Sequence, residues 1–183
     1  MAGFDLVLSA AREGDEEALA DLYRSIYPRF VRYAGAVDPS SAEDVAADAW
    51  LDVARSLGRF RGGESDFRAW AFTIVRRRML DLRRRGVRRR TDPVDPLDLI
   101  ATGDVGNVED EAVVSLEASW AIDLITSALT RDQADVVLLR ILADLSVDQV
   151  AELLDKRPGT VRVIQHRALR RLAEALRREP VTR

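Results

Sequence analysis

Ser146–Arg170 reads SVDQVAELLDKRPGTVRVIQHRALR, and the pattern within it decides the fold. Ser146 with Gln149 three residues on is a capping box, opening a short helix that carries Val150, Leu153 and Leu154. Asp155-Lys156-Arg157 makes a tight turn, and Pro158 suits the first turn of a longer final helix. At about 100° per residue, Val161, Ile164, Ala168 and Leu172 fall on one face of that helix. Arg162, Val163, His166, Arg167 and Arg170 fall on the opposite face. A short capped helix, a turn and a basic helix together form a helix-turn-helix. Its apolar face is expected against Val150 and Leu154, and its basic face in a major groove. Gly159 and Thr160 lie in the first turn, where free N–H groups and a hydroxyl bind a DNA phosphate. An arginine run by itself marks a solvated face; the cap, the turn and the two-faced pattern point to DNA. His166 has no metal partner and is read as facing the groove or solvent. Val163 suits either a thymine methyl or a partner protein.

Helical patterning continues upstream. Thr130 and Gln133 form another capping box before Val136, Val137, Leu139, Ile141 and Leu142. Val113, Leu116, Trp120, Leu124 and Ile125 follow a helical period before it. Residues 91–108 hold two prolines, two glycines and four aspartates without a helical period, as a linker does. Towards the N-terminus, Phe4–Gly14 is a short helix with Gly14 as its stop. Asp15 caps a second helix, with a break or kink expected at Pro28. Ser41 and Asp44 resemble a capping box for a third helix ending at Ser56, striped by Val45, Ala49, Val53 and Leu57, with Trp50 beside the stripe. A fourth is expected from Phe67 to about Arg85. No strand-like alternation occurs. The expected fold is all-α: two small helical domains joined by a flexible acidic linker, with residues 1–90 as the first domain, 91–110 as the linker and 111–178 as the second.

Composition narrows the function. The 183 residues include no cysteine and one histidine, which excludes disulfides, thiol catalysis and histidine metal clusters. No apolar run approaches a membrane span, so no membrane insertion is expected. The opening MAGFDLVLSAAREGDEEAL is acidic where a secretory leader is basic, so a cytoplasmic location is expected. No cofactor is implied. The net charge of −3 conceals segregation. Residues 68–90 carry ten arginines against one acid, and 156–183 carry nine basic residues against two acids. Between them, 91–155 carry two basic and fifteen acidic residues. Two basic islands flanking an acidic stretch imply two anion-binding surfaces.

The first island interleaves aromatics with arginines. Arg76 and Arg83, and Arg77 and Arg84, are each seven apart and share one side of a helix. Rings beside an arginine ridge suit single-stranded DNA, bases stacking while guanidiniums track the backbone. Phe67 and Ile74 are expected in the core; Trp70 suits core and stacking equally.

These residues resemble a known family. Ala42-Glu-Asp-Val-Ala-Ala-Asp-Ala-Trp-Leu51, Arg59-Phe-Arg-Gly62, Phe67-Arg-Ala-Trp-Ala-Phe-Thr-Ile74 and Leu80-Asp-Leu-Arg83 resemble the second domain of extracytoplasmic-function sigma factors. Leu145-Ser146, Val150-Ala151, Leu153, Gly159-Thr-Val-Arg162 and His166-Arg-Ala168 resemble the fourth domain, and Gly14-Asp-Glu-Glu-Ala18 also fits. Ala47-Asp48, Arg77 and Val163-Ile164 depart from the common pattern. The resemblance implies a promoter-specificity subunit of bacterial RNA polymerase, acting in transcription initiation and not as an enzyme. Asp44, Val45, Asp48, Trp50 and Asp52 would bind core polymerase at the clamp coiled coil, with the flap as a further polymerase contact. Arg59, Phe60, Arg61, Ser65, Trp70, Arg76, Arg77, Arg83 and Arg84 would hold the melted minus-ten element, with one base flipped into a pocket. Gly159, Thr160, Arg162, Val163, His166, Arg167 and Arg170 would read the minus-thirty-five element of promoter DNA. An anti-sigma factor is the expected inhibitory partner. The alternative is a stand-alone helix-turn-helix regulator that binds its site without polymerase.

Overall fold

The computed structural model of the chain describes residues 3–89 and 120–178. Among these every regular element is helical, so the all-α expectation holds. The proposed linker, 91–110, and the apolar positions Val113 and Leu116 lie outside the described residues.

Helix α1 spans Phe4–Glu13 and ends as expected at Gly14, whose φ of 96° is left-handed. Helix α2 spans Glu16–Gly35, and the Asp15 carboxylate accepts from the Ala18 N–H at 2.7 Å. The break expected at Pro28 does not occur: α2 runs through it for 20 residues. Proline in a helix interior costs about 3 kcal/mol. Leu22 and Ile26 before it, and Phe30 and Tyr33 after it, are all buried. Burying such side chains contributes about 1.5–3 kcal/mol each, which outweighs one lost hydrogen bond.

A short 3-10 turn, Pro39–Ser41, leads into α3, Ala42–Ser56. The Ser41/Asp44 capping box is not formed. The Ser41 side chain makes no cap bond and instead donates its hydroxyl to Asp38, which also accepts from the Ser40 N–H at 3.1 Å. Pro39 fixes the turn that aims Ser41 back at Asp38, so this local bond wins. A second 3-10 turn, Leu57–Arg59, precedes α4, Glu64–Arg89, which starts three residues earlier than expected. Its 26 residues rise about 39 Å.

The C-terminal helices are α5 over 120–128, α6 Arg131–Leu142, α7 Val147–Leu153 and α8 Pro158–Arg178. The Thr130 N–H donates to Gln133 Oε1 at 3.2 Å. At Ser146 both halves of the box form: its N–H donates to Gln149 Oε1 at 2.8 Å, and the Gln149 N–H to Ser146 Oγ at 3.2 Å. Asp155 adopts a left-handed φ of 52° in the turn between α7 and α8, a conformation aspartate tolerates better than most residues.

Six consecutive residues of α6, Ala134 to Leu139, are buried, which one amphipathic face cannot explain. One side of α6 packs on α7 and α8, and the other on α2. Helix α4 likewise meets α7. The buried residues of both halves thus form one continuous apolar cluster.

Candidate nucleic-acid interface

On α8 the exposed and buried faces fall where the spacing predicts. Val161 and Ala168 are buried, Ile164 and Leu172 pack against the core, and Arg162, Val163, His166, Arg167 and Arg170 are all exposed. Gly159 and Thr160 are exposed in the first turn. A Cβ at Gly159 would meet nothing within 4 Å, so that position lies open on the protein side. The result is a ridge of guanidiniums and one imidazole on a helix held from behind by apolar packing. Val163 is 49% exposed amid these charges.

The second surface is built around the loop between α3 and α4. Phe60 stacks on Trp70 with ring centroids 4.9 Å apart and meets Phe67 edge-on at 5.7 Å. Phe4 of α1 closes on Phe67 at 5.8 Å. Phe60, expected to face DNA, is therefore buried: one chain turn carries it back onto the α4 rings, and its apolar area is worth more there than in water. Trp70 is half-buried, one face covered by Phe60. Arg61 braces the loop by donating to the carbonyls of Gly58 at 2.9 Å and Phe60 at 2.8 Å. Gly62, at φ 137°, brings the chain so close to α4 that a Cβ would lie 2.7 Å from Asp66 Cβ. Arg59 and Ser65 are exposed.

The four arginines expected to share one side of α4 divide. Arg77 and Arg84 are exposed, whereas Arg76 and Arg83 are half-buried. Arg76 turns away from solvent because Asp135 on α6 faces it at 3.2 Å. The Asp135 carboxyl is held above the ordinary carboxylate range by burial, which Arg76 and then Arg131 oppose. Beside the pair, burial and then Asp135 push the Tyr33 phenol well above its usual value.

On α3, Asp44 and Asp48 are exposed, with Leu51 between Asp48 and the helix end. Val45, expected at the polymerase contact, is buried and holds α3 to the core; it sits on the same stripe as Ala49 and Val53. Trp50 is half-buried against Tyr23 at 5.2 Å. Asp52 accepts from Arg78 Nε at 2.7 Å, and Asp48 lies 3.9 Å from the same guanidinium.

Four further residues emerge only in three dimensions. Arg68 binds Asp144 at 2.8 Å as well as Glu64 on its own helix. Gln149 donates to the Ser65 carbonyl at 3.2 Å and hydroxyl at 2.9 Å. Arg29 reaches the Leu142 carbonyl at 3.5 Å. The unbroken apolar run in α6 is the one sequence signal that this side of the bundle is covered. Among the described residues no acidic or histidine cluster suits a metal ion, and no helix is long and apolar enough to cross a membrane.

Comparison with known proteins agrees with this layout. Residues 22–91 match the family described as Sigma-70 region 2, and residues 119–172 match Sigma-70, region 4. The chain is 32% identical over 171 residues to the ECF RNA polymerase sigma factor ShbA of Streptomyces griseus, covering 88% of this chain and 89% of that one. It is 30% identical over 178 residues to the ECF RNA polymerase sigma factor SigD of Mycobacterium tuberculosis, covering 94% and 83%. Among solved structures, the fold is like that of CnrH in complex with the cytosolic domain of CnrY, with a TM-score of 0.62 at 19% identity over 97% of this chain and 99% of that one. It is also like the sigma factor RpoE in complex with the anti-sigma factor NepR from Bartonella quintana, with a TM-score of 0.61 at 20% identity over 88% and 98%.

Proposed function

The chain belongs to the extracytoplasmic-function sigma factors of the sigma-70 family, and on that premise we propose how its surfaces divide the work of promoter recognition. It is an RNA polymerase sigma factor, directing promoter recognition and transcription initiation.

The α8 ridge reads the minus-thirty-five element as duplex. Arg162, His166, Arg167 and Arg170 reach base edges and phosphates, while Gly159 and Thr160 take a phosphate at the helix start. The loop 58–66 and α4 hold the melted minus-ten strand. Trp70 offers its uncovered face for stacking, Arg59, Arg77 and Arg84 track the backbone, and Phe60 supports the loop from beneath. The exposed acidic side of α3, Asp44 and Asp48 with Leu51, docks on the clamp coiled coil of core polymerase, and the C-terminal helices meet the flap. A protein that engages core polymerase and promoter DNA in this way acts in the cytoplasm. RpoE of Bartonella quintana was solved with an anti-sigma factor, and we extend such a partner to this chain, with Val163 and the α3 face among its contacts.

The observation that carries the proposal is the α8 ridge: five neighbouring exposed positions, four of them cationic or titratable, on a helix whose other face is packed. In vitro transcription with core polymerase on a promoter library tests it. The chain should select promoters only together with polymerase, and the combined Arg162→Ala, His166→Ala and Arg170→Ala variant should lose upstream-element preference. Tight, specific duplex binding by the free protein would instead indicate the stand-alone regulator.

A further inference from the structure

We propose that the cavity between α1, α2 and α4 binds a free phosphate ion, a site that goes beyond promoter recognition and does not rest on it. The cavity has a volume of about 100 Å³ and is lined by Phe4 of α1, Ser25, Ile26 and Arg29 of α2, and Glu64 and Arg68 of α4. Three helices thus bring two guanidiniums, one hydroxyl and one carboxylate to one small space. Two arginines against one glutamate leave this lining with a net positive charge.

The two arginines are not equally occupied. Arg68 pairs with Glu64 on its own helix and with Asp144 at 2.8 Å. Among the described residues no carboxylate lies within ion-pair distance of Arg29. Its side chain reaches the Leu142 carbonyl at 3.5 Å, at the long limit of a hydrogen bond. A guanidinium has five N–H donors, so most of those on Arg29 remain for a ligand. Burial and then Arg68 hold the Arg29 guanidinium below its usual pKa; Arg32, one turn on, acts the same way, and Asp144 opposes them. An anion between Arg29 and Arg68 relieves both the burial and the repulsion.

Size and chemistry select the anion. Ordinary small-molecule pockets start at about 300 Å³, so this cavity takes an ion and not a nucleoside. Guanidiniums hold phosphate oxygens through charge-assisted hydrogen bonds. The Ser25 hydroxyl, which donates to the Leu22 carbonyl at 3.1 Å, can rotate to donate to the ion. Phe4 and Ile26 form an apolar wall, and a low local dielectric strengthens these bonds. The start of α4 plays no part, because the Glu64 N–H already donates to Asp5 at 3.0 Å. Glu64 works against the ion: its carboxylate competes for Arg68 and limits the affinity.

The test follows thermal unfolding of the full chain as phosphate replaces chloride at constant ionic strength, at about pH 8, where a phosphate group is dianionic. A ligand bound only by the folded chain raises the melting temperature with its concentration. Phosphate also stabilises proteins in general by exclusion from their surfaces, so the readout is the difference between parent and variants. Arg29→Gln should require about 10-fold or more phosphate for the same rise. Glu64→Gln removes the competing charge while its amide oxygen still accepts from Arg68, so about 3-fold less phosphate or lower should suffice. Arg24→Gln and Asp21→Asn make the same charge changes at an exposed pair on α2 and should respond as the parent does. AMP, whose nucleoside the cavity does not admit, should give a smaller rise than phosphate. An equal response in the parent and Arg29→Gln would overturn the proposal. So would an equal response in the parent and Glu64→Gln, a comparison that stands even if Arg29→Gln does not fold. AMP acting as well as phosphate would overturn the assignment to the free ion.

Discussion

Arg76 on α4 and Asp135 on α6 lie 3.2 Å apart, Nη1 to Oδ2, although 59 residues separate them along the chain. Asp135 is only 5% exposed, the one charged residue among the buried polar groups of the described residues. The pair sits where α2, α4 and α6 converge, beside the buried Tyr33. It binds the two halves electrostatically and at the same time removes one arginine from the ridge along α4.

Breaking this pair should cost more than exchanging it. Asp135→Ala leaves the half-buried Arg76 guanidinium beside Tyr33 without its carboxylate, and an unsatisfied group of this kind costs about 1–3 kcal/mol. Arg76→Ala in the same chain removes the stranded charge, so the double variant should be more stable than the sum of the single effects implies. Urea unfolding of the four proteins measures the coupling. Additive losses would mean that the two side chains act independently.

The pH dependence follows from the raised Asp135 value. Burial is its largest cause, so between the ordinary carboxylate pKa and the native one the folded chain binds more protons than the unfolded chain. Asp135 therefore opposes folding at neutral pH, and this cost is relieved as pH falls through its native pKa. Arg76 from α4, Arg131 and Asp132 on its own helix, and Tyr33 from α2 face it throughout. The stability of the parent chain relative to Asp135→Asn should rise as pH falls through the raised native Asp135 value and level off near the unfolded aspartate value of about 3.9. The opposite slope would mean that Arg76 outweighs burial.

Two glycines should respond in opposite ways to alanine. At Gly62 the φ of 137° and the 2.7 Å approach to Asp66 Cβ both forbid a side chain. Gly62→Ala should cost about 1–3 kcal/mol and displace the loop, lowering promoter opening as read by permanganate footprinting. Gly159 has nothing within 4 Å and lies at the start of α8. Gly159→Ala should stabilise the free protein by about 0.4–1 kcal/mol while weakening upstream-element binding, because the added methyl would obstruct the phosphate contact proposed for the start of α8. Equal melting temperatures for the two variants would contradict this contrast.

Single substitutions on α8 should separate base readers from phosphate binders. Alanine at a base-reading arginine should cost about 1–3 kcal/mol and relax preference at one position, whereas alanine at a phosphate contact should weaken all sequences alike. Promoter-library selection with Arg162→Ala, Arg167→Ala and Arg170→Ala, each tested with polymerase, distinguishes them. Identical selectivity profiles for all three would remove this face from sequence reading.

Much of the C-terminal site was legible because its determinants are local. The two faces of α8 follow from a 3.6-residue period over one helix, and the Ser146 box from a spacing of three. Features set by distant neighbours were not legible in the same way. Pro28 interrupts helices by local rule, but the four large side chains around it are buried and α2 continues. Ser41 satisfied a capping pattern, yet the turn at Pro39 brought Asp38 closer. Arg76 and Arg77 look alike in a run of three arginines and differ only in what α6 places opposite one of them.

From the sequence alone came the helical class, the helix-turn-helix with its basic face, and the family, since each depends on residues a few positions apart or on the order of short motifs. The tertiary structure decided which of those residues are available. Phe60 and Val45 went inward, Arg77 and Arg84 stayed in solvent, and Ser65, Arg68 and Arg76 were taken up by the other half of the chain. The reason is that exposure and pairing depend on the whole packed arrangement: a charge is free or occupied according to what another helix sets 3 Å away, and no local period encodes that neighbour.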